Sequence, residues 1–340
     1  MKLINNEMKN YFSNDDKYKK MPNIVYHYCS LQTFVDIIMN STVRLSHITK
    51  SNDMEEIKYI MPFVETAILK AVKEYNQFVA KDYKISSCNI SDAIEKIFNE
   101  LSTTFYAACF SEVNDLVDQW ARYADHAKGV AIGFSTNSFV KLQISSNSEY
   151  IFNNVIYDAN YVMERLIEMI TKSYNERCVL YDDGLNFLIM TDVIREYAKT
   201  ILRHSPLYKN PAFSQEREWR LIYNPFGRLI IIPDRFTYFD KLHESNVYNN
   251  SNYSVNRSVS RCNVKYRVVD EGRQLTSYID LNFNEIKTDL IREIIIGNQS
   301  KLTTSDIDLM SFLKMNGYNI SNTGLNNTIK ISKSTIPYNK

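Results

Sequence analysis

The residue types best suited to chemistry lie in one short run, Glu216-Arg217-Glu218-Trp219-Arg220. Side chains alternate along a strand, so Glu216, Glu218, Arg220 and Ile222 should share one face, with Arg217, Trp219, Leu221 and Tyr223 on the other. Two carboxylates beside a guanidinium could stabilise a developing positive charge or recognise a partner. Buried, such charges must be paired or lose their charge. The strand pattern alone favours a plainer arrangement, an edge strand whose charged face is simply solvated.

His27 is the second candidate. It sits between Tyr26 and Tyr28 and is followed at once by Cys29, Ser30 and a helix start. A lone histidine is most often a satisfied core residue. A histidine leading into a helix N-terminus can also hold a ribose hydroxyl or a phosphate. Asn52-Asp53 with Glu56 reads either as a metal-leaning turn or as a helix cap, and the cap explains it without function. Cys109 has no activating base beside it in sequence and reads as a core thiol. Gln119 and Tyr123, four apart on a short helix, can present polar tips to a ligand, while Trp120 reads as core. His126, His204 and His243 lack metal-ligand spacing.

These residues need elements to place them. Residues 24–28 and 43–46 read as short strands, the second putting Arg44 and Ser46 on one side. Ser30 can cap a helix with Leu31, Phe34, Val35, Ile37 and Ile38 on one face. A long helical stretch over 55–82, kinked at Pro62, and an amphipathic helix over 91–101 follow. Strands are expected at 104–110, 129–134, 217–223, 229–232, 265–269, 291–296 and 329–331. Helices are expected at 115–123, at 305–315 and, as a pair, over 158–205. Residues 1–20 form a polar N-terminal segment, and 244–260 reads as an exposed Asn/Ser/Tyr-rich excursion. Helices inserted among strands without strict βαβ alternation give the α+β class. The expected architecture is a mixed, mostly antiparallel sheet in a single domain over 21–340, with helical insertions at about 55–103 and 158–205.

Composition narrows the function classes. The 40 Lys and Arg balance 39 Asp and Glu, so no net field draws in polyanions. Five scattered cysteines without a Cys-x-x-Cys pair argue against a disulfide framework or a zinc knuckle. Neither a Walker loop nor a Gly-x-Gly-x-x-Gly turn is present among the eight glycines. No apolar signal core opens the chain and no run of about 18 apolar residues occurs, so the expected location is the cytoplasm, away from membranes.

A series of motifs then runs in order along the chain. It comprises Tyr26-His27-Tyr28-Cys29-Ser30, Asn52-Asp53, Cys109-Phe110-Ser111-Glu112, Gln119-Trp120-x-x-Tyr123-Ala124, 129–134, Phe213-x-x-Glu216-x-Glu218-Trp219-Arg220 and Ile294-Ile295-Ile296-Gly297. The series resembles an uncharacterised bacterial family, a domain of unknown function often found beside phage-defence genes, over roughly residues 24–300. A weaker resemblance is to the ADP-ribosyltransferase superfamily. That resemblance implies His27 as ligand of the adenosine-side ribose of NAD, Ser46 or Tyr123 near the nicotinamide, and Glu218 as the carboxylate polarising the nicotinamide ribose. Glu216-x-Glu218 is similar to the Glu-x-Glu pair of the arginine-dependent branch. A Ser-Thr-Ser strand, part of that pattern, is missing here.

The expectation drawn from these readings is an ADP-ribosyltransferase-like fold consuming NAD in bacterial defence or as a toxin, without a metal. Glu218 and Glu216 would be catalytic, and His27, Tyr28, Ser46, Tyr123 and Arg220 would bind the cofactor. Cleavage of the N-glycosidic bond passes through an oxocarbenium-like state that a carboxylate stabilises. Partners would be a protein or nucleic-acid acceptor and an antitoxin or other defence component. Two alternatives stay open: a non-catalytic binding or sensing module, and a nuclease with Mg²⁺ on Asp53, Glu56, Glu216 and Glu218.

Overall fold

The β-branched and aromatic run Ile24–Cys29 forms β1, and Ser30 then turns the chain by accepting a 3.2 Å bond from Thr33 N. The helix it caps, α1 (Leu31–Asn40), buries Phe34, Ile37 and Ile38 and ends at Ser41, whose φ of 49° lies in the left-handed region. The computed structural model describes residues 21–48, 58–77, 80–86, 90–102, 105–145, 150–178, 183–203, 205–223, 264–269, 273–321 and 328–337. Expectations for residues 1–20, Asn52-Asp53 with Glu56, His204, His243, 229–232 and 244–260 lie outside these.

Beyond β1 and α1 the chain runs β2 (Thr42–His47), α2 (Met61–Tyr75), α3 (Ile90–Ser102), β3 (Tyr106–Ser111), α4 (Val117–Tyr123), β4 (Val130–Ser135) and α5 (Thr136–Ser145). It continues with β5 (Tyr150–Asn154), α6 (Ala159–Cys178), α7 (Asp183–Arg203), β6 (Glu218–Tyr223), β7 (Lys265–Val269) and β8 (Gln274–Asn282). Last come β9 (Ile291–Ile296), α8 (Ile307–Met315), β10 (Asn319–Ile320) and β11 (Thr328–Lys333). The result is a mixed α+β fold with a sheet core and helical insertions. Pro62 does not kink a longer helix: it occupies the first turn of α2, where its missing N–H costs nothing. The helix stops at Tyr75, and the Asn76 side chain bonds both the N–H and the C=O of Ile85 at 2.8 and 2.9 Å.

The described strands lie in the order β10-β11-β9-β4-β1-β3-β2-β8-β7, with β6 paired to β3 and β5 paired to β6. Pairings are antiparallel apart from β10 with β11 and β11 with β9. One pairing decides where a site can form. Along one edge β3 bonds β6 from Tyr106 to Ser111. The other edge is shared: β1 meets it at Ser111, and β2 meets it at Tyr106 and Ala107. Between them the sheet forks at Ala108, Cys109 and Phe110.

The two faces of this sheet are covered differently. On the back, α1, α5 and α8 bury one apolar cluster with Val25, Phe110, Ile132, Phe134, Trp219 and Leu221. On the front, α2, α3, α6 and α7 cover Ala107, Ile151 and Ile222 at one end. At the other end α4 packs Trp120 and Ala124 on Tyr26, Tyr28, Ala131 and Ile295. The fork lies between these two coverings.

Candidate functional site

A cleft of about 520 Å³ opens over the fork. His27, Tyr28, Ser46, Tyr123, Glu216, Glu218 and Arg220 all line it, although five different segments supply them. β1 and β6 are not neighbours, because β3 runs between them. Among the described residues, no group of three or more His, Cys, Asp and Glu is arranged to hold a metal ion. No helix among them is long and apolar enough to cross a membrane.

The carboxylates arrive by a route that strand alternation does not give. Glu216 is not on the strand but ends a 3-10 turn, Pro211–Glu216, which Asn210 caps by accepting from Ala212 N at 2.9 Å. Arg217 follows with φ of 46°. This left-handed residue reverses the local chain direction, and Ser111 Oγ fixes the turn by donating to the Glu216 carbonyl at 2.8 Å. Both carboxylates therefore reach the cleft while Arg217 stays outside it, 3.6 Å from Glu112.

β6 itself is an interior strand between β3 and β5, buried along its whole length. The edge-strand expectation fails there, for a physical reason: the charges are neutralised locally instead of solvated. Lys209 Nζ lies 2.7 Å from Glu216 Oε2 and 3.0 Å from Glu218 Oε2. Arg220 donates from Nε to Glu218 Oε1 at 2.7 Å and from Nη2 to Oε2 at 3.0 Å, a two-pronged pair. Its Nη1 donates to the Pro206 carbonyl at 2.5 Å. Burial pushes the Glu218 carboxyl up, but Arg220 and Lys209, with the Cys109 thiol donating to it, bring it down to about 2. Arg220 thus lines the cleft with its guanidinium already committed. Glu216 Oε1 is less engaged, facing Arg122 at 3.8 Å.

Lys209 was not legible in the sequence as a functional residue. It precedes the Asn210-Pro211 turn and is brought in by a parallel bridge between Ile156 and Tyr208, with Lys209 N donating to Ile156 O at 3.1 Å. Its ammonium also lies 5.0 Å from the centre of the Phe213 ring. Cys109 departs from its core-thiol expectation and is exposed at the floor of the cleft. The fork removes the strand that would have covered it.

His27 fills the fork. Its Nδ1 lies 3.0 Å from the Cys109 carbonyl, which can only accept, so Nδ1 carries the proton and the neutral ring leaves Nε2 as an acceptor. Burial lowers the imidazole pKa, partly offset by that same bond. Residues Ser30, Leu31, Gln32 and Thr33 at the N-terminus of α1 do not line the cleft, and a Cβ on Gly129 would sit 2.1 Å from the Cys29 carbonyl, so backbone packs directly on backbone beside them.

α4 forms a wall. Tyr123 presents its phenol to the cleft with a pKa raised by burial and by Glu216, and Gln119 lines the same wall. Trp120 is core, as expected, standing edge-on to Tyr28 at 4.9 Å. The helix is anchored at its start by Asp115, which accepts from Trp120 Nε1 at 2.6 Å, Ser334 Oγ at 2.7 Å and Thr335 N at 2.9 Å. Tyr28 adds a second anchor by accepting from Leu116 N at 3.1 Å and donating to Val113 O at 2.8 Å.

A search of curated proteins and a search of solved structures found no match to this chain. A family model described as "Protein of unknown function (DUF2971)" does match, over residues 119–221, a narrower span than the motif series from 24 to 300. That stretch begins on the α4 wall and ends in β6, so it carries Tyr123, Lys209, Glu216, Glu218 and Arg220 and leaves His27 and Ser46 outside.

Proposed function

We propose that the cleft binds NAD and breaks its N-glycosidic bond, passing ADP-ribose to a macromolecular acceptor or to water. The observation that carries this reading is the convergence of His27 with the Glu216–Glu218 pair on one cleft of ligand size. In the reaction the bond between ribose C1′ and the nicotinamide nitrogen breaks. Its electron pair leaves with nicotinamide, and the ribose ring takes up positive charge. An acceptor oxygen or nitrogen then bonds to C1′ and gives up its proton.

The charge geometry divides the labour between the two acids. Glu218 has both oxygens occupied by Arg220 and Lys209, so its role in this reading is to hold those cations in place. Glu216 Oε1 has the spare capacity to face a developing oxocarbenium. His27 Nε2, fixed as an acceptor, suits a ribose hydroxyl. Ser46 and Tyr123 supply further hydroxyl groups around the cleft, whereas Tyr28 lines it with its hydroxyl committed to Val113 and Leu116.

One observation favours a second reading, a ligand-sensing module without turnover: Lys209 and Arg220 cancel the formal charge of Glu216 and Glu218. Nicotinamide release from NAD by purified protein, without added metal, separates the two. Under the proposed reading wild type releases nicotinamide, and Glu216→Gln lowers the rate by about 10²–10³-fold with little change in melting temperature. NAD that binds without nicotinamide release, or equal rates in wild type and Glu216→Gln, would overturn it.

A further inference from the structure

The inner end of the cleft is close to charge balance, but the outer end is not. On the front face of the β2–β8–β7 wing, register places Arg44 opposite Asp280, Ser46 and Lys265 on either side of Tyr278, and Arg267 opposite Thr276. Arg44 and Arg267 both line the cleft that holds Glu216 and Glu218. Their guanidinium carbons lie 4.2 and 6.0 Å from the centre of one ring, that of Tyr278.

Asp280 is the carboxylate of this cluster, and it is shared. Arg44 Nε lies 3.4 Å from Oδ1 and Lys265 Nζ lies 3.0 Å from Oδ2. Arg267 forms no ion pair among the described residues. Arg44 and Lys265 thus share one acid, while Arg267 reaches the same Tyr278 ring with no acid of its own among those residues, and like charges on one sheet face repel unless an anion enters. The side chains of Arg44 and Lys265 are about half exposed, whereas that of Asp280 is 16% exposed. The cations therefore face the open side and the acid sits beneath them. Two guanidiniums splayed over one ring offer planar, forked donors, the geometry that suits phosphoryl oxygens.

We propose that Arg44 and Arg267 form a phosphoryl-binding subsite at the outer lip of the cleft. The ligand lies with its phosphates at this lip and an uncharged or cationic end against Glu216 and Glu218. The subsite stands on its own geometry; the direction of the ligand rests on the nucleotide reading above. It gives a substrate class, a nucleotide bearing two linked phosphates, and it excludes ligands whose negative charge must sit beside the carboxylates.

The test is calorimetric titration of wild type and the double variant Arg44→Gln/Arg267→Gln with ADP, inorganic pyrophosphate and adenosine. Wild type should bind ADP and pyrophosphate, and the double variant should bind both at least about tenfold more weakly, since each lost charged hydrogen bond alone is worth about that factor. Adenosine should bind the two proteins equally, and melting temperatures should agree, because Arg44 and Arg267 are exposed. Failure of wild type to bind ADP and pyrophosphate, or equal affinities in the double variant, would overturn the subsite. Arginine-dependent ADP binding in a protein that releases no nicotinamide from NAD would keep the subsite and remove the cleavage reaction.

Discussion

The strand β6 belongs to two different kinds of interior. Trp219, Leu221 and Tyr223 point to the back of the sheet into one continuous apolar cluster. Glu218 and Arg220 point to the front, into a gap between two apolar coverings. Both faces are buried, yet they are held by opposite means. The back is held by volume: Trp219 stacks on Phe152 at 5.2 Å, and Phe110, Phe134 and Phe139 meet within 5.1 to 5.8 Å of one another. The front is held by pairing, each carboxylate oxygen of Glu218 meeting a cation. Volume is insensitive to pH, whereas pairing is not. A protein can therefore place charge in an interior strand without an edge, provided the partners come from nearby turns.

The largest effect should come from the apolar face. Trp219→Ala removes a fully buried ring and should cost about 3–5 kcal/mol, read as loss of denaturation midpoint. This loss should be the same at pH 5 and pH 8, and a loss that varies strongly with pH would break the distinction between the faces.

Lys209→Met comes next, expected at about 3 kcal/mol at neutral pH, because it leaves two buried carboxylates short of their shared cation. Here the pH dependence is the informative part. In wild type, Glu218 sits at about 2, below its unfolded value of 4.5, so its contribution is complete above 4.5 and lost as pH falls towards 2. Without Lys209 the folded-state value rises, and the penalty relative to wild type should shrink as the pH is lowered. A penalty that grows in acid would contradict the pairing account.

The smallest effect concerns His27. Its folded-state pKa lies below the ordinary 6.5, so the unfolded chain binds the extra proton first. Stability should therefore fall as pH drops below 6.5. His27→Asn keeps a donor for the Cys109 carbonyl and should flatten that part of the melting-temperature profile. An unchanged slope between pH 6.5 and 5 would place the titration elsewhere.

Much of this arrangement was legible in the residues, and the reasons for the remainder are particular. Strands β1, β2, β7 and β9 were expected within about one residue of their ends, because β-branched and aromatic runs with clear turns bound them. β8 carries no such signal: its buried apolar residues Ile279 and Leu281 come only at its end, after the polar run Thr276-Ser277-Tyr278. β5 carries two asparagines in five residues and forms by pairing with β6. The candidate residues themselves could be named from type and order. Their partner Lys209 could not, since it reaches Glu218 through a bridge to Ile156, a contact that local periodicity does not encode. The exposure of Cys109 likewise depends on which strands fail to meet, a property of the whole sheet.

Asp115 gives the cleft a history as well as a shape. The groups that hold it, Ser334 and Thr335, are 219 and 220 positions further along the chain. During synthesis, α4 and the first strands emerge long before those residues do. Until β11 joins the sheet, the α4 wall with Gln119 and Tyr123 has no anchor from that side, so the cleft is completed late, after the sheet that floors it.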